Sequence, residues 1–314
     1  MTLTDLSIVI CTYNRHELLR EALQSLLPQS VPDLNYEVIV VDNNSTAETR
    51  AVVEDLALRD SRVCYVRETR QGNAHARNTG VAKARAPVIA FLDDDVIVRD
   101  NWLQVVKSSF EQTAADFIGG KVLPRWEQPP PSWLDVTNWA PIAAVDYGDT
   151  AFRIGADNPL CLLTANIAFR REVFERFGGF SAAVQRAGDN IGSLEDHEFL
   201  TRLFRAGVVG EYVPEMVVDA HVGAERMTKA YHRRWHTGHG HFYAVMKDPE
   251  WECSNFRLLG VPGHLYKETA KQTLSWLSKI VRGKTDEAFA NECRVRFFRG
   301  FFRERRRQPS RAAD

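Results

Sequence analysis

PVIAFLDDDV, residues 87–96, runs from a proline through five apolar residues into three consecutive aspartates. Like charges side by side repel, so folding alone gives no reason for Asp93, Asp94 and Asp95 to stand together. The apolar half is short and lacks polar alternation, as expected of a strand covered on both faces. LSIVIC (6–11), YEVIVV (36–41) and RVCYV (62–66) repeat the pattern. Helical patterns lie between them at 15–27, 46–58 and 73–85, with another at 99–113, and Asn14 and Ser45 occupy predicted N-cap positions. This alternation predicts a doubly wound α/β fold, a parallel sheet with helices on both faces.

Ligands of such sheets bind beyond the carboxyl ends of the strands. There LSIVIC is followed by TYNR, YEVIVV by DNNS and PVIAFL by DDDV, so three strand ends offer carboxylates, amides and hydroxyls to one crevice. A loop start or a helix cap explains any one of them; three together point to a ligand. A cation stabilises crowded carboxylates, and oxygen-only donors favour Mg²⁺ or Mn²⁺. In extended backbone Asp93 and Asp95 share one side and Asp94 the other. Asp95 is therefore expected to touch the ion, with Asp93 joining it or hydrogen-bonding substrate. Asp42 ends a second strand, where a carboxylate can accept from a nucleobase N–H or a ribose hydroxyl.

The whole-chain balance narrows the class. Of 314 residues, 44% are hydrophobic and 26% charged, and 40 basic against 41 acidic side chains give a net charge of −1, less basic than a general nucleic-acid binder. Five scattered cysteines without a CxxC pair support neither a zinc site nor a disulfide framework. MTLTDLSIVIC lacks the basic start of a secretory signal, and no apolar run reaches the length of a membrane span. The expectation is a soluble, cytoplasmic protein, or one peripheral at the inner face of the membrane.

Beyond the first half, residues 124–160 form an insert rich in proline and tryptophan, either packed or facing a sugar. LLTANIAFR (162–170), the turn FGGF (177–180) and an amphipathic helix at 194–206 follow, then VVGEYVP and MVVDAHV as two final strands. Residues 1–225 and 226–314 are expected as a catalytic domain and a helical, basic-aromatic extension. In the latter, His232, His236, His239 and His241 lack a joining acid or cysteine, and Gly238 and Gly240 disrupt helical spacing, so zinc is not expected. The segment 293–311 interleaves Phe297, Phe298, Phe301 and Phe302 with arginines. It reads either as a helix packing its rings inward or as a tail in peripheral contact with an anionic membrane.

CTYNR (11–15), VVDNNS (40–45), GNAHARNTG (72–80), FLDDD (91–95), TANIAFRR (164–171), FGGF (177–180) and LEDHEFLTRLFRAG (194–207) occur in an order that resembles family 2 glycosyltransferases of the GT-A fold. The resemblance covers roughly residues 5–225. It implies an inverting transferase with a Rossmann-like, mostly parallel sheet, using Mn²⁺ or Mg²⁺ and a nucleotide-sugar donor, UDP-linked in much of the family. Thr12, Tyr13, Asn14 and Asn44 would border the nucleotide, Arg15 its phosphates, and Asp42 the base. Gly72, Asn73, Arg77 and Asn78 would line the donor, joined by Asn166 and Asp94. Asp93 and Asp95 would form the DxD element, with His221 as a third metal ligand. Asp196 would be the base that accepts the acceptor's proton and Glu195 an acceptor-binding or orienting residue, the acceptor being a hydroxyl of a glycan or lipid-linked saccharide. A nucleotidyltransferase would need a glycine-rich phosphate loop where TYNR stands, and a non-catalytic nucleotide-sugar binder would have no use for Glu195-Asp196.

Overall fold

The computed structural model describes residues 4–185, 191–249 and 251–307. The chain divides into two compact units, the first built from Met1–Arg125, Ala143–Ala182 and Glu195–His221, the second from Trp126–Ile142, Ala183–Leu194 and Val222–Asp314. The insert expected at 124–160 is thus shared between them.

The first unit is α/β. Strands β1 (Leu6–Thr12), β2 (Tyr36–Asp42), β3 (Val63–Arg67) and β4 (Val88–Asp93) alternate with helices α1 (His16–Leu26), α2 (Ala47–Arg59) and α3 (Asn73–Lys83). Then come β5 (Val96–Val98), α4 (Trp102–Gln112), β6 (Phe117–Trp126), β7 (Phe152–Ile154), β8 (Asn166–Arg170), α5 (Arg171–Phe177), α6 (Glu195–Arg205) and β9 (Gly210–Val222). The sheet runs β3-β2-β1-β4-β8-β6-β9-β5, with β7 beside β9. Its first four strands are parallel; β8 pairs antiparallel with β4 and continues the sheet into an antiparallel half.

Period-two side-chain geometry explains the layers. Leu6, Ile8 and Ile10 point to the face covered by Leu19 and Leu23 of α1, Val53 of α2 and Trp102 of α4. Val9, Ile39 and Phe91 point to the opposite face, onto Ala74 and Ala76 of α3, Phe174 of α5 and Phe199 of α6. Both faces of β1, β2 and β4 are dry, which is why they read as unbroken apolar runs, whereas RVCYV forms the edge strand β3 and leaves Cys64 exposed.

Two sequence expectations changed. VVGEYVP and MVVDAHV form one strand, β9, in which Pro214 falls between the stretches paired with β7 (Gly210 to Tyr212) and β5 (Val218 to Ala220). Asn14 and Ser45 do not cap their own helices. The Asn14 N–H donates to Ser45 Oγ at 3.0 Å and Asn14 Oδ1 accepts from the Thr46 N–H at 2.9 Å, lacing the β1 and β2 loops together.

The second unit is helical, with α7 (Lys229–Met246), α8 (Gly263–Val281) and α9 (Thr285–Arg307). Gly238 and Gly240 do not interrupt α7; they let backbone approach it. A Cβ on Gly240 would lie 1.9 Å from the Phe297 carbonyl oxygen of α9, and one on Gly300 would lie 1.9 Å from that of Thr237. Phe297, Phe298 and Phe301 are buried beside Ala244, Val261 and Leu265, so the rings of α9 face inward. Residues 308–311 of that segment lie outside the described residues.

One contact sets the position of α3. A Cβ on Gly80 would meet Cγ1 of the fully buried Val9 at 2.3 Å, so the helix rests directly on β1. Gly80→Ala is expected to lower unfolding free energy by about 1–3 kcal/mol through overpacking. Urea denaturation measures it, and an unchanged midpoint would mean that α3 moves aside at no cost.

Candidate active site

Parallel register lines up polar residues far apart in sequence. Thr12 sits opposite Asp42, and Cys11 sits opposite Asp93. The carboxyl edge of β2, β1 and β4 therefore carries Asp42, Thr12 and Asp93 side by side. Asp42 is buried; one carboxylate oxygen accepts the Ser45 N–H at 2.7 Å and the other the Tyr65 hydroxyl at 2.6 Å. Tyr13 and Asn14 are exposed beyond the edge. Asn14 (φ 54°) and Asn44 (φ 68°) take the left-handed conformation that asparagine tolerates best among non-glycine residues, and Asn44 accepts from Arg67 at 2.9 Å. Gly72, at φ 135°, turns the chain into α3, its N–H held by Asn43 Oδ1 at 2.8 Å.

The strand alternation that separates Asp94 from its neighbours stops at Asp93, because residues 94 and 95 form a turn between β4 and β5. Asp94 is buried, accepting from Thr12 Oγ1 at 2.7 Å and Arg15 Nη1 at 3.3 Å. The same Arg15 nitrogen reaches Asp95 Oδ2 at 2.9 Å. Asp93, at the end of β4, lies 3.6 Å from Arg77 Nη2. Arg77, on α3, is buried and also holds α6: its Nη1 donates to Glu195 Oε1 at 2.9 Å and to Asp196 Oδ1 at 3.2 Å. Asn73, one helical turn earlier, donates to Glu195 Oε1 at 3.3 Å.

Two arginines are thus interleaved with five carboxylates. Burial pushes Asp94 up to about 6, opposed by Arg15 and reinforced by Asp95. Burial also raises Asp93, though more than a third of its side chain stays exposed and solvent screens much of that push. Asp196 is raised above the ordinary carboxylate range by burial, with Arg77 pulling it back. Its two oxygens sit 3.0 Å from Thr164 Oγ1, and Oδ2 also accepts the Thr164 N–H at 3.2 Å. Thr164 was not singled out in the sequence; its signal was the hydroxyl opening TANIAFRR. Glu195 Oε2 is buried and has no hydrogen-bond partner among the described residues, an acceptor beside the base candidate.

Other expected residues have different surroundings. Asn78 braces the FGGF turn, donating to the Phe180 carbonyl at 2.9 Å and accepting its N–H at 2.8 Å. Asn166 is buried, accepting from Trp102 Nε1 at 2.8 Å and donating to the carbonyls of Lys121 and Met216. All these bonds are internal to the first unit, so both residues hold the framework around the crevice. His221 adjoins the aspartates through its backbone, its N–H donating to the Asp95 carbonyl at 2.8 Å. Trp133 of the insert packs edge-on to His232 and Phe289, with ring centroids at 4.8 and 5.0 Å, inside the second unit.

The donor set suits a hard cation, since five carboxylates outnumber the two guanidinium groups among them. Among the described residues no three His, Cys, Asp or Glu side chains converge as a metal cage. An ion of the Mg²⁺ type needs only one or two protein carboxylates and completes its shell from phosphates and water. The residues fit a cation that shares its shell with a diphosphate.

Comparison with known proteins agrees with this geometry. A family model described as glycosyl transferase family 2 matches residues 7–178, more than half of the chain. Among curated relatives, the glycosyltransferase AglE of Haloferax volcanii is 33% identical over 38% of this chain and 40% of its own length. A glucosyl-dolichyl phosphate glucuronosyltransferase of the same organism is 28% identical over 61% of this chain and 60% of its own. The chain therefore spans less than two thirds of these two relatives. The succinoglycan biosynthesis protein ExoM of Rhizobium meliloti is 29% identical over 75% of this chain and 74% of its own. Two solved structures share the fold. The mannosyltransferase PcManGT of Pyrobaculum calidifontis, in complex with GDP-Man and Mn²⁺, superposes with a TM-score of 0.59 at 19% identity, over 95% of this chain and 88% of its own. S. aureus TarS 1-349, in complex with UDP-GlcNAc, gives 0.56 at 16% identity, over 94% and 92%. The fold is the GT-A type, and the chain belongs to glycosyl transferase family 2.

Proposed function

We propose that this glycosyltransferase is metal-dependent and inverting. It would move one sugar from a nucleotide diphosphate donor, UDP-linked by preference, to a hydroxyl of a glycan or lipid-linked saccharide. The observation that carries the reading is the bridge made by Arg77. It joins Asp93, at the strand end where a diphosphate would bind, to Glu195 and Asp196, on the helix that would meet an acceptor. Support also comes from the names of relatives and neighbours, which include glucosyl-dolichyl phosphate, GDP-Man with Mn²⁺, and UDP-GlcNAc. Residues 1–225 are proposed as the catalytic part and 226–314 as an extension, with acceptor choice assigned to the 124–160 insert.

In this mechanism Asp42, with the loop residues Tyr13, Asn14 and Asn44, binds the nucleoside. Arg15 holds positive charge at the phosphates. Asp95 and Asp93 would hold the cation, with His221 as a further candidate. That cation would supply charge neutralisation for the departing diphosphate. Asp196 accepts the proton of the acceptor hydroxyl as that oxygen bonds to the anomeric carbon, while the bond from that carbon to the diphosphate oxygen breaks and the nucleoside diphosphate leaves. Attack from the face opposite the leaving group inverts the anomeric centre. A carboxylate raised by burial is a stronger base than a solvated one, and Thr164 and Arg77 hold it in one orientation. Glu195 offers Oε2, which has no partner among the described residues, to orient the acceptor.

Calorimetric titration with UDP, GDP and dTDP, each with and without Mn²⁺, tests the donor side. UDP is expected to bind most tightly and only with the ion. Asp95→Ala should weaken that binding about tenfold or more; unchanged affinity would sink the metal assignment. Asp196→Asn should preserve donor binding while transfer falls at least ~100-fold, the usual scale for a general base. Near-normal turnover would move the base elsewhere. Thr164→Val should lower kcat about tenfold, the cost of about one hydrogen bond to a charged group. The donor KM should stay unchanged, and Thr164→Ser should restore the rate. An equal loss in both variants would show that the hydroxyl does not position the base.

A further inference from the structure

The second unit presents an apolar surface that its own core does not use. Among the described residues ten large hydrophobic side chains stand exposed, and seven of them lie between residues 256 and 281. Four belong to the C-terminal half of α8, which leaves apolar side chains outward although Leu265 in its first turn joins the core. Its polar side chains meet α9: Lys279 Nζ donates to Asn291 Oδ1 at 2.8 Å, and Asn291 Nδ2 donates to Gln272 Oε1 at 2.6 Å. Meanwhile Leu274, Leu277 and Val281 are 69%, 51% and 87% exposed. At 3.6 residues per turn these three fall within about 60° of one another on the helix surface.

The charges on that side have one sign. Lys267 lies in line with Leu274, while Lys271 and Arg282 lie along one edge of the stripe, all three exposed. Glu268 is the one acid in α8, and it is turned aside to accept from Gln272 Nε2 at 2.8 Å. An apolar stripe with lysine and arginine along one edge is complementary to a bilayer with anionic headgroups, the helix lying in the plane of the interface. A symmetric pairing of two copies through this face would bring the same cations against one another.

We propose that the outward face of α8 docks on an anionic phospholipid surface. Leu274, Leu277 and Val281 enter the headgroup boundary, and Lys267, Lys271 and Arg282 meet the phosphates. This replaces the phenylalanines of 293–311, which are committed to the core of the second unit. It uses no residue of the carboxylate site, so its failure and that of the catalytic reading are separable.

The test is flotation of the full chain with phosphatidylcholine vesicles, with and without phosphatidylglycerol. Binding is expected only with the anionic lipid, and high salt should release it. Leu274→Gln combined with Leu277→Gln, and separately Lys267→Gln combined with Lys271→Gln, should each lower the bound fraction about tenfold or more. Thermal unfolding and nucleotide binding of both variants should match the parent. Absence of binding to anionic vesicles would overturn the proposal, as would binding that neither variant weakens. So would light scattering that shows a dimer converted to monomer by the leucine changes without any vesicle binding.

Discussion

Arg77 is a buried guanidinium with three carboxylates around it, and the geometry of the site depends on its staying there. Asp93 ends β4, whereas Glu195 and Asp196 begin α6, about a hundred residues later. Brought together in a poorly hydrated crevice without a cation, these groups would repel, and each would shed its charge by taking up a proton. A buried pair of this kind adds little net stability, but removing one partner strands the others. Its role is to fix position. α3 carries Arg77 to this point because Gly80 lets the helix lie against Val9, and because Asn43 anchors its first turn through Gly72.

The second constraint is the parallel register of β1, β2 and β4. It turns three separate strand endings into one edge, with Thr12 and Asp42 opposite each other and Cys11 facing Asp93. The loops leaving that edge are tied to one another, through Asn14, Ser45 and Thr46, instead of each capping its own helix. Two asparagines accept left-handed backbone to make those turns. Such local strain concentrates where a surface must be held in one shape.

The helical unit follows different physics. Glycines normally weaken a helix, yet Gly240 and Gly300 admit the facing backbone to a distance no side chain allows. The phenylalanines of α9 fill the resulting core, and α8, which adds Leu265 to that core, is left with Leu274 and Leu277 outward. Apolar content alone would have placed those leucines inside. Only the competition between two helices for the same core shows which set of rings and methyl groups is excluded.

Much of the first unit was legible in the sequence, since strands buried on both faces must be apolar throughout and helices between them must carry a stripe. The strand ends could be located for the same reason, and with them Thr12, Asp42 and the three aspartates. The turn at residues 94 and 95 was not legible: a period of two applies only while the backbone stays extended, so the regrouping of Asp95 with Asp94 on Arg15 needed coordinates. Nor could the sequence reveal that Asn78 and Asn166 spend their hydrogen bonds on the framework, or that Thr164 holds both oxygens of Asp196. Side-chain type tells what a residue can bond, whereas the partner is chosen by which backbone segments the fold brings within 3 Å. By itself the sequence determined the parallel layers and the acidic edge, because burial and charge are written residue by residue. Tertiary structure decided which arginine answers which carboxylate and which helix face is left uncovered, because those depend on contacts between segments that no local pattern encodes.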